Sequence, residues 1–393
     1  MINVLLLFGL FSAIKCKVTV IDDDPVKMKN FSISEYITSC GYPFELHQNI
    51  QTEDGYLLDV QRIPHGKTNE NDTDKPVVLL MHGLLGSAEN FVLLDCESSL
   101  AFYLAEQGYD VWMGNARGTA HSRKHLSMDP DVDTEYWEFS WHEIGIYDIP
   151  ATIDYIRKTT NKEKIFYVGH SQGCTVFLVM TSEKPEYNNY IQSMVAMAPA
   201  AYITAPSGGL LSPAFIPQLI KILIDAVGME ELKPSKEHAL CLELGKLENY
   251  CSGVMQMLNI DPDTLEPDVL GRVSNAFPAG AAVRQVIHYT QEMISGKFCQ
   301  YDHEKNENLI KYGSEKPPSY NISKIVSPVA VFYSMNDTFT PMEGVKKLIG
   351  ELPNLSQDYQ IPTDGFSHLD FVVDRNVVEL VYSKIVEEFK KYM

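Results

Sequence analysis

The sequence predicts an α/β fold in which a mostly parallel sheet carries helices on both faces. Apolar, strand-like runs alternate with helical stretches along the chain, as is typical of parallel sheets with crossover helices. These runs are Val77–Met81, Asp110–Met113, Lys164–Val168, Met194–Met197 and Val329–Tyr333. From about Tyr202 to Ser323 the alternation stops, and prolines and amphipathic helical stretches replace it. The pattern therefore predicts a helical cap inserted after the sixth strand of the sheet.

A pentapeptide at the centre of the chain indicates the chemistry. Gly169-His170-Ser171-Gln172-Gly173 follows one of the β-type runs and precedes the helical run Cys174–Met180. A strand, G-x-S-x-G and a helix in this order form the nucleophile elbow of the α/β-hydrolase fold. Side chains at the two glycines would clash with neighbouring backbone, and the helix dipole favours negative charge beside the serine. An ordinary turn serine is the alternative, but the flanking elements favour Ser171 as a nucleophile.

The acid and the base of a catalytic triad should follow the serine in that order. Asp337 lies just past the carboxyl end of the run Val329–Tyr333, where a triad acid is expected. His368 is the only histidine after Asp337. It would take the proton of the serine hydroxyl, while the carboxylate fixes the imidazole tautomer.

An oxyanion hole is expected from two backbone N–H groups. One belongs to Gln172, directly after the nucleophile. The other belongs to Leu84, in the loop that follows the run Val77–Met81. His82 begins this loop, and we interpret it as a packing or hydrogen-bonding residue rather than a catalytic one.

Further motifs extend from about Ser34 to the C-terminal helix. Besides the Gly-His-Ser-Gln-Gly elbow they are Gly41–Pro43, Thr52–Tyr56, Arg62–Pro64, His82–Leu85, Gly114–Gly118, Tyr147–Asp154, Pro278–Gly280, Ser295–Phe298 and His368–Phe371. In these motifs the chain resembles the acid lipases, the family of gastric lipase, lysosomal acid lipase and their invertebrate relatives. The resemblance is weak between about 202 and 275. It implies the same triad of Ser171, Asp337 and His368, and the same donors, Leu84 and Gln172.

The cysteines are only partly assigned. The family has a disulfide at the place of Cys241 and Cys251, so the resemblance implies that pair. Cys174 is expected as a buried free thiol, because it lies about one turn into the helix after the nucleophile. The pairing of Cys40, Cys96 and Cys299 stays open.

The N-terminus predicts entry into the secretory pathway. Val4–Ile14 is apolar but too short to span a bilayer. It has the character of a signal peptide, residues 1–16, with a buried N-terminal strand as the alternative. Glycosylation sequons at Asn30, Asn71, Asn321 and Asn354 agree with secretion. The sequon at Asn336 is set aside because it adjoins the expected acid, and a lysosomal destination remains an alternative.

Charge and motifs exclude several partners. The net charge is −20 with scattered acidic residues, which argues against nucleic acid and against electrostatic attraction to anionic lipid. A lipid surface would have to be met through hydrophobic contact. No later segment reaches transmembrane length. No cysteine–histidine cluster has zinc spacing and no glycine-rich phosphate loop is found, so neither a metal nor a cofactor is expected. A monomer is expected.

The expected organisation is a signal peptide, a hydrolase core in two parts (17–201 and 323–393) and a helical cap (202–322). We interpret residues 228–260 as a mobile lid, with a fixed cap and a permanent tunnel as the alternative. The favoured function is hydrolysis of tri- and diacylglycerol at an oil–water interface, with steryl esters second. A small-ester hydrolase and a non-enzymatic lipid carrier on a decayed hydrolase fold are further alternatives. The intact triad favours an enzyme.

Overall fold

The structure is a computed structural model that describes residues 31–72, 74–203, 230–234 and 265–393. The expected signal peptide, the pair Cys241 and Cys251, and Asn30 lie outside these ranges. So does the expected lid, apart from residues 230–234.

The centre of the molecule is a sheet in the order β1-β2-β4-β3-β6-β7-β10-β11. Strands β1, β2 and β4 pair antiparallel, and every neighbouring pair from β4 to β11 is parallel. The short strand β5 pairs with β2, and β8 and β9 form a separate two-stranded sheet. The strands are β1 (Glu45–Gln51), β2 (Tyr56–Ile63), β3 (Val77–Met81), β4 (Asp110–Met113), β5 (Lys124–His125), β6 (Ile165–His170), β7 (Ile191–Met197), β8 (Glu231–Leu232), β9 (Ala281–Ala282), β10 (Val329–Tyr333) and β11 (Leu355–Gln360).

The central strands are buried on both faces, and this explains why their sequences are continuously apolar. In β3, Val78 and Leu80 pack into one core cluster. Val77, Leu79 and Met81 pack into a second cluster. Successive side chains of a strand point to opposite faces of the sheet, so the two clusters are the two layers between sheet and helices. Each fully buried aliphatic side chain stabilises the fold by roughly 1.5–3 kcal/mol.

Helices cover both faces of the sheet, as predicted. The α-helices of four or more residues within the described ranges are α1 (Ile33–Ser39), α2 (Leu100–Glu106), α3 (Ile149–Thr160), α4 (Gln172–Glu183), α5 (Pro267–Ala276), α6 (Val283–Ser295), α7 (Glu304–Tyr312), α8 (Met342–Glu351), α9 (Asp370–Val373) and α10 (Ser383–Phe389). Within the described part of the insertion, α5, α6 and α7 lie between β7 and β10 in the chain. The helical character expected there is confirmed for those residues.

The start of α3 differs from what the sequence predicts. Asp148 is a good N-cap residue and Pro150 is tolerated in a first helical turn, so the sequence predicts a helix that starts at Asp148. In the structure the backbone of Asp148 is helical and its side chain makes no capping hydrogen bond. The helical turns Trp141–Glu143 and Ile144–Asp148 precede α3 without a break. Ser140 is the actual cap. Its Oγ accepts a hydrogen bond from the N–H of His142 at 3.1 Å, and the Glu143 carboxylate accepts one from the N–H of Ser140 at 2.7 Å.

The described cysteines resolve part of the open pairing. Cys40, at the end of α1, forms a disulfide with Cys96, 56 residues further along the chain. Cys174 is a buried free thiol, as expected, and its Sγ donates to the carbonyl oxygen of Gly169 at 3.1 Å. Cys299 is also buried and free. Among the described helices, none is long and apolar enough to cross a membrane.

Candidate active site

Ser171 makes the turn between β6 and α4 alone. Strand β6 ends at His170 and α4 begins at Gln172. The backbone of Ser171 has φ 54° and ψ −116°, a conformation that non-glycine residues rarely adopt. Its N–H donates to the carbonyl oxygen of Met197, at the end of β7, at 2.9 Å. Neighbouring structure therefore holds the serine in a strained turn, a feature that tends to mark functional sites.

Two glycines make this turn sterically feasible. A Cβ atom at Gly173 would lie 2.1 Å from the carbonyl oxygen of Met81 in β3. A Cβ atom at Gly169 would lie 2.6 Å from the carbonyl carbon of Gly173. The first helical turn after the serine thus packs against the backbone of β3, and the clash expected from the sequence is confirmed at both positions.

Asp337 and His368 meet at the carboxyl end of the sheet. Nδ1 of His368 lies 2.7 Å from Oδ2 of Asp337. Asp337 also accepts hydrogen bonds from Phe339 N (2.8 Å), Thr340 N (3.0 Å) and Thr340 Oγ1 (2.6 Å). Burial alone would raise the pKa of this carboxyl, but the charge and hydrogen bond of His368 and the bonds from Thr340 lower the pKa to about 2. The carboxylate is thus ionised and aimed at the imidazole.

His170, the last residue of β6, joins this strand to the loop of His368. Its Nε2 lies 2.9 Å from the backbone carbonyl oxygen of His368, and the two ring centroids are 5.0 Å apart. Because the carbonyl can only accept, Nε2 carries the proton. Burial and the neighbouring His368 lower the pKa of His170 to about 3. His170 therefore remains neutral. Because it directly precedes Ser171, its hydrogen bond ties the backbone of His368 to the elbow.

The loop after β3 reaches the same place. A Cβ atom at Gly83 would lie 3.0 Å from Cβ and 3.4 Å from Oγ of Ser171, so this loop contacts the serine. Leu84 follows Gly83 directly. On the other side, Gln172 is the first residue of α4, where backbone N–H groups have no partner within the helix. The two N–H groups expected as oxyanion donors therefore belong to segments that adjoin Ser171.

Sequence reasoning missed two partners of these residues. Thr340 holds Asp337, and the spacing Asp-x-x-Thr, typical of side chains that bond to a following turn, could have indicated it. Gln285 in α6 accepts a hydrogen bond from Nε2 of Gln172 at 2.7 Å, and both side chains are buried. No local pattern marks Gln285, because it is 113 residues away in the chain.

A buried ion-pair network supports the loop after β4. Arg117 is 1% exposed, and its guanidinium donates to Asp148 at 2.7 Å and to Asp54 at 2.8 Å. The guanidinium also lies 3.8 Å from the ring centroid of Tyr56. These contacts join the loop, β2 and the start of α3. The Asp148 carboxylate does not cap a helix because it accepts hydrogen bonds from Arg117 instead. We assign the network to structure rather than to chemistry.

The remaining predicted positions lie on the surface. The side chains of Asn71, Asn321 and Asn354 are exposed. Asn336, which the sequence analysis set aside, is exposed as well. Among the described residues, no group of three or more His, Cys, Asp or Glu side chains is arranged to hold a metal ion.

The sheet order and the strand–serine–helix elbow define the chain as an α/β-hydrolase. A family model described as a partial α/β-hydrolase lipase region matches residues 33–95, and one described as the α/β-hydrolase fold matches residues 76–224. The chain belongs to the lipase family of α/β-hydrolases that includes gastric and lysosomal acid lipases, which confirms the resemblance found in the sequence. It is accordingly a carboxylic ester hydrolase.

Three relatives carry this assignment. Lipase 3 of Drosophila melanogaster is 38% identical, over 91% of this chain and 92% of its own. Human gastric triacylglycerol lipase is 37% identical, over 90% of each chain. The lysosomal acid lipase/cholesteryl ester hydrolase of Macaca fascicularis is 34% identical, over 92% of each.

Solved structures support the fold alone. A protein from Sulfolobus solfataricus superposes with a TM-score of 0.58 at 14% identity, covering 89% of this chain and 94% of its own. The monoacylglycerol lipase of Paleococcus ferrophilus gives 0.50 at 19% identity, covering 86% and 99%.

Proposed function

We propose that this protein is a secreted lipase that hydrolyses tri- and diacylglycerol through a Ser171–His368–Asp337 triad and an acyl-enzyme. The observation that carries the proposal is the ionised Asp337 carboxylate 2.7 Å from Nδ1 of His368, next to a serine in an elbow. The gastric relative named for triacylglycerol supports the substrate class.

The geometry suggests how the steps proceed. With Nδ1 donating to Asp337, Nε2 of His368 is free to accept the Ser171 hydroxyl proton as Oγ attacks the ester carbonyl. The resulting oxyanion would be stabilised by the N–H groups of Leu84 and Gln172. His368 then returns the proton to the leaving alcohol, which leaves an acyl group on Ser171. Water, deprotonated by His368, attacks the acyl-enzyme and releases the fatty acid.

Asp370 is the nearest rival for the role of the acid. Its carboxylate accepts a hydrogen bond from the N–H of Ser367 at 2.5 Å, so it caps the turn that carries His368. Asp370→Asn is therefore a matched control for Asp337→Asn. If the Asp370 variant lost far more activity than the Asp337 variant, with both folded, the assignment of the acid would be wrong.

The competing function is hydrolysis of steryl esters, as in the cholesteryl ester hydrolase relative. Triolein, cholesteryl oleate and a short water-soluble ester should be tested side by side from acidic to alkaline pH. We expect triolein to be hydrolysed fastest. Faster turnover of cholesteryl oleate would favour a steryl ester hydrolase. Activity on the short ester alone would favour a small-ester hydrolase. A folded protein that hydrolyses none of the three would favour a lipid carrier.

Secretion belongs to the same proposal. We expect a monomer, with lysosomal delivery as the alternative, whose mature chain begins between about residues 14 and 18. It should carry N-glycans on Asn30, Asn71, Asn321 or Asn354. N-terminal sequencing and a glycosidase mobility shift test both points. A secreted product that retains Met1, or an unglycosylated cytosolic protein, would contradict them.

The cap contributes the interfacial part of the proposal. A cleft for acyl chains is apolar, and a large apolar cleft open to water is unfavourable. We therefore propose that residues 228–260, closed by a Cys241–Cys251 disulfide, cover the site until a lipid surface is met. The rate should rise when tributyrin exceeds its solubility limit, and a Cys241→Ser, Cys251→Ser double variant should blunt the rise. Smooth saturation below the limit would favour a fixed cap.

A further inference from the structure

The peptide that links Gly83 to Leu84 is held by its oxygen atom. The carbonyl oxygen of Gly83 accepts a hydrogen bond from the N–H of Gly86 at 3.1 Å. Nδ1 of His82 lies 2.7 Å from the same oxygen. A trans peptide is planar, with its C=O and N–H pointing in opposite directions. Fixing the oxygen of Gly83 therefore also fixes the direction of the Leu84 N–H.

The partners of His82 determine its tautomer. The backbone N–H of Ala116 donates to Nε2 of His82 at 3.1 Å, so Nε2 must accept. The oxygen of Gly83 can only accept, so Nδ1 must carry the proton. His82 is 2% exposed, and burial lowers its pKa to about 4. The ring therefore stays neutral, with one donor edge and one acceptor edge, over most of the pH range.

The held peptide lies at the reaction site. A Cβ atom at Gly83 would be 3.4 Å from Oγ of Ser171. On the far side of the loop, the carbonyl oxygen of Leu85 accepts a hydrogen bond from the N–H of Ala279 at 2.7 Å. Leu85 adopts φ 63°, an unfavourable value for a leucine. The loop is thus fixed from both ends in a conformation that its own residues do not favour.

We infer that His82 is a positioning residue for the oxyanion hole, which acts by holding the Gly83 carbonyl so that the Leu84 N–H faces the developing oxyanion. The inference rests on the proposed function, because it assumes that Leu84 is an oxyanion donor. It assigns to His82 an effect on the transition state, which a histidine that only packs the loop would not have. His82 itself touches neither substrate nor the reacting atoms.

Two conservative variants distinguish the hydrogen bond that His82 makes to Gly83 from the one that it makes to Ala116. In His82→Asn, the side-chain amide nitrogen replaces Nδ1 and keeps the donor toward Gly83, but the side chain is too short for Ala116. In His82→Gln, the amide oxygen reaches the position of Nε2 and keeps the acceptor for Ala116, but no donor remains at the δ position. The two variants therefore lose one hydrogen bond each, and only one of them loses the bond that orients Leu84.

The measurements are tributyrin kinetics, the rate at which a p-nitrophenyl phosphonate modifies Ser171, and thermal unfolding. Removing one oxyanion donor costs on the order of 10²–10³ in kcat, so misorienting one should cost roughly ten- to hundredfold. We expect this loss in kcat and in phosphonylation for His82→Gln, with KM changed less than about twofold. His82→Asn should stay within about threefold of the parent in kcat, even if it unfolds at a lower temperature.

Equal losses in the two variants, or a fully active His82→Gln, would overturn the inference. A parent that does not hydrolyse tributyrin would instead overturn the proposed function. If the variants do not fold, NMR spectra of the ¹⁵N-histidine-labelled parent show which ring nitrogen of His82 carries the proton. The His82 signals are assigned through contacts to the amides of Gly83 and Ala116. A neutral ring protonated at Nδ1 supports the inference, and one protonated at Nε2 refutes it.

Discussion

The buried carboxyl of Glu292 should destabilise the protein at neutral pH relative to a side chain that cannot ionise. Its side chain is 1% exposed within α6, and it accepts a hydrogen bond from the N–H of Ile203 at 3.2 Å. Burial raises the pKa of Glu292 from its ordinary value of 4.5 to about 8. Between those two values the native state keeps a proton that the unfolded state releases. Stability linked to Glu292 is therefore fully present below pH 4.5 and is lost as the pH rises toward 8.

The size of the effect follows from the shift. Each pKa unit corresponds to about 1.4 kcal/mol, so the 2.5 units between pH 4.5 and pH 7 amount to roughly 3 kcal/mol. Glu292→Gln keeps the shape of the protonated acid and does not ionise. The variant should match the parent in free energy of unfolding at pH 4.5 and exceed it by up to roughly 3 kcal/mol at pH 7.

Urea unfolding at four pH values between 4.5 and 7.5 measures this difference. Glu307→Gln is the control, because Glu307 is an exposed glutamate in α7. The free energy of unfolding of this control variant should equal that of the parent at each pH. A Glu292→Gln variant whose stability differs from the parent by the same amount at every pH would show that Glu292 does not take up a proton on folding. So would a variant that is less stable at pH 7.

Three other outcomes are expected. Asp337→Asn should lower kcat for tributyrin by about 10⁴-fold in a folded protein, because the amide favours the wrong imidazole tautomer. Gly173→Ala should abolish soluble expression or activity, because the added Cβ would lie 2.1 Å from the backbone oxygen of Met81. Gly350→Ala is the control and should behave like the parent, because no atom lies within 4 Å of a Cβ at that position. Replacing Cys40 and Cys96 by serine should lower the free energy of unfolding, measured in urea against the parent, by up to about 4 kcal/mol for a loop of this length.

The sequence predicted the central sheet well because its strands are buried on both faces. Runs such as Val77–Met81 and Val329–Tyr333 contain no polar residue, and the structure places strands at those bounds. The elbow was equally predictable, because Gly169 and Gly173 are required by steric contacts that any residue with a Cβ would violate. The pairing of Asp337 with His368 followed from chain order and from the rule that triad residues lie at the carboxyl ends of strands.

What the sequence did not predict depends on contacts between distant segments. The Cys40–Cys96 disulfide joins the end of α1 to the loop after β3, and no spacing rule indicates such a pair. Gln285, which bonds to Gln172, and Ala116, which bonds to His82, come near these residues only when the chain folds. The start of α3 is a different case, since the capping box Ser140-x-x-Glu143 is visible in the sequence but Asp148 and Pro150 gave a competing signal.

Covalent labelling shows whether Ser171 is the nucleophile. A p-nitrophenyl phosphonate should modify the parent once, at the peptide that contains Ser171, with loss of ester hydrolysis in proportion to the fraction labelled. Ser171→Ala, with an unfolding transition like that of the parent, should be neither labelled nor active. A folded Ser171→Ala variant that still hydrolyses tributyrin, or a label at another residue that abolishes activity, would show that Ser171 is not the nucleophile.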